Sequence, residues 1–253
     1  MMARLPASEV FAALIVFARV GTALAVLPGF SIAWVPIQVR LLLALAVTSI
    51  ITPLLSPDMP SMPTAPLALG LLLVGEATVG FALGTIVRIV FAALQTAGTF
   101  VAFVGSFANT MTQDPVAEQQ SSTISGLFST LGVVVVFASG LDRSMLQALV
   151  DSYQLFKPGG LPSLGQFGQS IARTAADSFA LGIQLSAPFL VLSLVYNVGT
   201  GLMARLMPQL PVFFFGLPLQ LALQLWVMML TISGITLIFL NRFADVLGVG
   251  LSG

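Results

Sequence analysis

Three charged side chains stand inside otherwise apolar stretches of this chain: Arg19, Glu76 and Arg88. A charge at the centre of a membrane helix costs about 2.5–3.5 kcal/mol on insertion scales, so each must be satisfied or lie outside hydrocarbon. Glu76 and Arg88 are twelve residues apart, which is ~18 Å along one helix, too far to pair within it. Two chemistries stay open for them. One is a proton or ion pathway; the other is a salt bridge between helices or subunits, or a helix that is not in lipid.

Other chemistry is sparse. The chain contains no Cys and no His, which removes thiol catalysis, imidazole acid–base chemistry, Cys/His zinc sites and His-ligated haem. No phosphate-binding glycine loop, HExxH or GxSxG pattern is present. The acids are scattered, no nucleophile has a base beside it, and no cofactor is expected. A membrane enzyme is the weakest of the readings.

The elements that must hold these residues are apolar helices. Of 253 residues, 57% are hydrophobic and 7% charged, and the mean hydropathy is +1.05. Soluble domains carry roughly 25% charged residues, so this chain cannot cover itself against water. The fold class expected is all-α, a polytopic membrane protein of about six spans, seven at most, forming one domain over residues 1–253. With a net charge of zero there is no electrostatic case for nucleic acid.

Spans of ~20 apolar residues are expected at residues 10–27, 39–55, 124–139, 179–198 and 212–240. The first resembles a secretory signal, but Glu9 and Arg19 interrupt the pattern, so a retained span is expected. Residues 66–107 are apolar throughout and make either two spans or one long helix projecting beyond the membrane. Within them Gly80 and Gly84 form a GxxxG, which signals close helix packing. Residues 141–157 read as an amphipathic helix with Leu141, Met145, Leu149 and Phe156 on one stripe. After Pro158-Gly159-Gly160 a Gly/Ser/Gln linker is expected, and Gly216 and Pro218 predict a kink in the last span.

The sharpest polar island covers residues 106–125. Asp114 suits a helix N-cap, Pro115 the first helical position and Glu118 the first turn. Phe107, Asn109, Met111 and Gln119 share this stretch, which is long for a connection and mixes aromatic, Met and polar side chains. It reads either as an interfacial loop or as a working segment.

Three stretches resemble the FliR family of the bacterial flagellar type III export gate, related to injectisome subunits of the SctT type. They are Phe103-Val104-Gly105-Ser106-Phe107 leading to Asp114-Pro115 and Gln119-Gln120-Ser121; Asp151-Ser152-Tyr153-Gln154-Leu155-Phe156-Lys157-Pro158-Gly159; and Arg205-Leu206-Met207-Pro208-Gln209-Leu210-Pro211 running on to Gly216-Leu217-Pro218-Leu219-Gln220. The third is the most specific, and it departs from the family at Pro211, where Asn is frequent.

The resemblance implies a non-enzymatic subunit of the inner membrane and flagellar basal body. It would assemble with FliP-like and FliQ-like subunits, beside FlhB-like and FlhA-like proteins, into a pore for unfolded substrates. The segment from Phe107 to Gln119 would be the pore plug, and Arg19, Glu76 and Arg88 would be satisfied by subunit contacts. Two rivals remain: the equivalent injectisome subunit, and a small-molecule or ion permease using Glu76 and Arg88.

Overall fold

The computed structural model describes residues 7–31, 35–55, 59–105, 123–160, 164–207 and 212–249. Among them the regular structure is helical: α1 (Ala7–Val26), α2 (Ile37–Leu55), α3 (Pro66–Val104), α4 (Thr123–Ala138), α5 (Leu141–Leu155), α6 (Leu164–Leu206) and α7 (Val212–Val249). Five are long and apolar enough to cross a membrane, and α4 with α5 makes a sixth if the two are counted as one. The all-α polytopic class is what the composition dictates, because in lipid every backbone polar group must be satisfied within the chain.

The apolar run from residue 66 is one helix of 39 residues, ~58 Å long at 1.5 Å per residue against ~30 Å of hydrocarbon. Two other helices exceed their expected lengths. The linker expected before residue 179 is helical from Leu164. Phe156 and Phe167 meet there with ring centroids 4.9 Å apart, and that tertiary contact holds a segment whose glycines alone would not. At the other end α7 passes Leu240 and runs to Val249, because Phe243 and Leu247, one turn apart, are both buried.

The helices distribute into two compact units. The first comprises residues 1–89, 140–175 and 243–253; the second comprises 90–139 and 176–242. In the first, α1 buries Ile15, Val16, Val20, Ala23 and Leu24 along one stripe, which Leu27 continues just past its end, and Arg19 occupies the middle of it. In the second, the core is aromatic: Phe91 meets Phe239 edge-on at 5.4 Å, with Phe128 and Phe189 fully buried.

Close approach of helices is carried by glycine. In the first unit a Cβ on Gly80 would collide with the Arg19 carbonyl and the Thr22 hydroxyl, and one on Gly84 would lie 2.9 Å from the Ala23 carbonyl oxygen. As α3 advances from 76 to 84, its partners on α1 advance from 19 to 26, so the two helices run parallel here. In the second unit Gly98 of α3 stands against Ser125 of α4, where a Cβ would come within 2.6 Å of the Ser125 Cα. Gly70 and Gly75, in the same apolar run, have open space around them.

Candidate functional site

Arg19 is 1% exposed and Glu76 2% exposed, and they meet. The Arg19 Nε donates to Glu76 Oε2 at 2.7 Å, and Nη2 lies 2.7 Å from the same oxygen. The guanidinium makes two further hydrogen bonds. Nη1 donates to Ser152 Oγ at 3.2 Å and Nη2 to the Phe156 carbonyl at 2.9 Å. The guanidinium carbon sits 3.9 Å over the Tyr153 ring. Glu76 Oε1 in turn accepts the Gly159 backbone N–H at 3.3 Å.

This arrangement ties α1, α3, α5 and the turn after α5 to one buried charge pair. A lone charge there would be costly, and the pair is tolerable only because the spare donors and acceptors are filled. Arginine suits the position, since its planar fork presents donors in several directions at once. The backbone of the turn is what brings its N–H to the carboxylate: Gly159 has φ +87°, a left-handed conformation that favours glycine. Both oxygens of Glu76 are engaged and its surface is buried, so the pair acts as a clamp.

Arg88 lies elsewhere. It is exposed on α3 and makes no ion pair among the described residues, so the structure unites Arg19 with Glu76 and leaves Arg88 apart. Sequence reasoning singled out the charges of Arg19 and Glu76, and named Ser152 and Tyr153 only within a family-like stretch, without a role. The signal available was spacing: Met145, Leu149, Ser152 and Phe156 recur at 4, 3 and 4 residues, the face of a helix that packs inward.

A second cluster, in the other unit, surrounds the end of α3. The last carbonyls of a helix have no partner within it. That of Val104 accepts from Ser193 Oγ of α6 at 3.0 Å and from Gln220 Nε2 of α7 at 2.9 Å. Asn197 Nδ2 donates to Ser193 Oγ at 3.3 Å. Four residues before Gln220, the Gly216 carbonyl accepts from Tyr196 Oη at 2.5 Å. A Cβ on Gly216 would lie 2.8 Å from that hydroxyl, which would have to move to admit it. Where α4 begins, Ser125 Oγ donates to the Gln95 carbonyl at 3.1 Å.

The candidate plug residues Phe107, Asn109, Met111, Asp114, Pro115, Glu118 and Gln119 lie outside the described residues, as do Pro208 and Gln209. Arg205 is exposed in the last turn of α6, and Pro218 is exposed within the first turns of α7. Gln224, which sequence reasoning passed over, is 1% exposed. Neither its Nε2 nor its Oε1 has a hydrogen-bond partner among the described residues.

Comparison with known proteins gives this geometry a context. The sequence matches the family described as bacterial export proteins, family 1, over residues 10–246. The flagellar biosynthetic protein FliR of Caulobacter vibrioides is 32% identical over 96% of this chain and 97% of its own length. The Escherichia coli FliR is 27% identical over 77% of this chain and 74% of its own. The secretion system apparatus protein SsaT of Salmonella typhimurium is 30% identical over 63% of this chain and 62% of its own.

Proposed function

The chain belongs to the bacterial export proteins of family 1, and we propose that it is a non-enzymatic subunit of the flagellar type III protein export gate in the inner membrane. The match to a flagellar relative along 96% of the chain carries this reading. FliP-like and FliQ-like subunits would complete the pore, with FlhB-like and FlhA-like proteins beside it and unfolded flagellar proteins passing through. An injectisome role is the second reading, favoured by the likeness to SsaT, which covers a smaller share of the chain.

Within that gate, residues Phe107 to Gln119 serve as the plug. Support comes from the two ends of the flanking helices, both held in place: the Val104 carbonyl by Ser193 and Gln220, and Ser125 by Gln95. A plug must be fixed where it leaves the wall, or it would not return to the pore after substrate passes. Its aromatic and Met side chains would block water and ions at rest. Deleting 107–119 in a reconstituted gate should raise ion conductance at rest; unchanged conductance refutes the plug. Failure of the chain to co-purify with FliP-like and FliQ-like subunits refutes the wider reading.

The permease alternative requires Glu76 to exchange protons or ions. Its carboxylate is bound by Arg19 and by the Gly159 N–H, and Arg88 is not near it, which leaves that alternative without a pathway to name.

A further inference from the structure

The buried stripe of α7 repeats its residue types from one turn to the next. Gln220 and Gln224 lie near one end of it, Phe239 and Phe243 near the other. The members of each pair are four residues apart, which is about one turn and about 6 Å of rise. Gln220 Nε2 holds the Val104 carbonyl at 2.9 Å. The Gln224 amide, 1% exposed, has no hydrogen-bond partner among the described residues. Phe239 meets Phe91 of α3 edge-on, and Phe243 follows Phe239 on the same face of the helix.

An unfilled buried amide is costly to keep, and a one-turn movement would fill it. Between Phe91 and Val104, α3 runs antiparallel to α7. Moving α7 by four residues toward its own start therefore brings Gln224 to Val104 and Phe243 to Phe91, like for like. Met228, half-buried on the same stripe, enters the place of Gln224, so no amide is left orphaned there. In the first unit Leu247 takes the place of Phe243, one buried apolar side chain for another. The outward face of α7 offers little resistance, since Trp226, Met229, Leu230, Leu237 and Ile238 are all more than half exposed. What holds the observed register is the bond from Tyr196 to the Gly216 carbonyl, because Gln220 would stand at that place after the movement. The exposed pair of Arg242 with Asp177 would also be given up, at little cost.

We propose that α7 has two registers against α3, one turn apart: the observed one, in which Gln220 serves the Val104 carbonyl, and a second in which Gln224 does. Packed helices settle in discrete arrangements of this kind, and one-turn ratchets of one element past another belong to the known repertoire. In the second register the Val104 carbonyl keeps Ser193 of α6, so the end of α3 stays anchored while α7 moves past it. The device belongs to the chain by itself and does not depend on the export-gate reading.

The test uses the full chain in lipid nanodiscs. It has no Cys of its own, so nitroxides on Phe103→Cys of α3 and Leu237→Cys of α7, both exposed positions of the second unit, report on the movement alone. Double electron–electron resonance should give a main distance and a second, shorter one by up to about 6 Å, because the movement carries Leu237 toward the Val104 end of α3. Gln220→Leu removes a hydrogen bond from the observed register alone and should raise the shorter population about fivefold, the weight of one net hydrogen bond. Gly216→Ala crowds the Tyr196 hydroxyl in that register alone; it should act in the same direction and serves if Gln220→Leu does not fold. Gln224→Leu should abolish the shorter distance. A single distance in either register-weakening variant that folds overturns the proposal, and so does a shorter distance that Gln224→Leu leaves unchanged.

Discussion

Arg19 and Glu76, separated by 57 residues in sequence, form a 2.7 Å ion pair that is almost wholly buried and that draws in Ser152 as a further partner. Neither charge has a use in hydrocarbon alone. Together they hold α1 beside α3 and fasten the turn after α5 to both.

Breaking that pair one-sidedly should be severe. Arg19→Met is expected to cost about 3–5 kcal/mol, the range for an orphaned buried charge, and the double change Arg19→Met with Glu76→Met should recover most of it. Arg19→Lys should remain impaired, because a point charge cannot serve Glu76, Ser152 and the Phe156 carbonyl together. Thermal midpoints of the detergent-purified protein check this; a double variant no better than the single one would count against the clamp.

Gly80→Ala should be worse than Gly84→Ala. The added methyl at 80 meets backbone of Arg19, whereas at 84 it meets the Ala23 carbonyl oxygen at 2.9 Å and Val26 side-chain carbon at 3.0 Å. Overpacking of this sort costs about 1–3 kcal/mol. The order of the two midpoints is the readout, and equal effects would mean that α1 and α3 are not this close.

At Gly159 and Gly140, φ is +87° and +75°. An alanine in this region costs about 1–2 kcal/mol. Since Gly140 has open space and Gly159 only an ordinary contact with Pro60 at 3.5 Å, the penalty at both should be conformational. Replacement by Asn, which tolerates the left-handed region better, is expected to lose less than Ala at each position. Chemical denaturation of the four variants decides.

Gln224→Leu should stabilise the isolated protein. Among the described residues the buried amide leaves a donor and an acceptor unfilled, each costing about 1–3 kcal/mol of desolvation, and an apolar group of similar shape removes that burden. A lower midpoint for the leucine variant would show that the amide has a partner after all.

Gln220→Leu and Ser193→Ala each strip one donor from the Val104 carbonyl. Singly they should cost about 1 kcal/mol, and together more than the sum, since the second loss leaves the carbonyl bare. In a reconstituted gate the double variant should also raise resting conductance; a stable, tight gate would separate this anchor from the plug.

The sequence alone settled that the chain needs lipid or neighbours, that its elements are helices, and that Arg19 and Glu76 demanded partners. Those conclusions follow from composition and from apolar runs, which are local properties. The family was also legible, in motifs such as Gly216 to Gln220. Pairing was not. That Glu76 answers to Arg19 while Arg88 stands apart depends on the register between α1 and α3, and that register is set by glycines at 80 and 84 pressing on particular carbonyls. The length of α6 likewise required Phe167 to find Phe156. Sequence specifies which groups must be satisfied; only packing, which joins residues far apart in the chain, decides by whom.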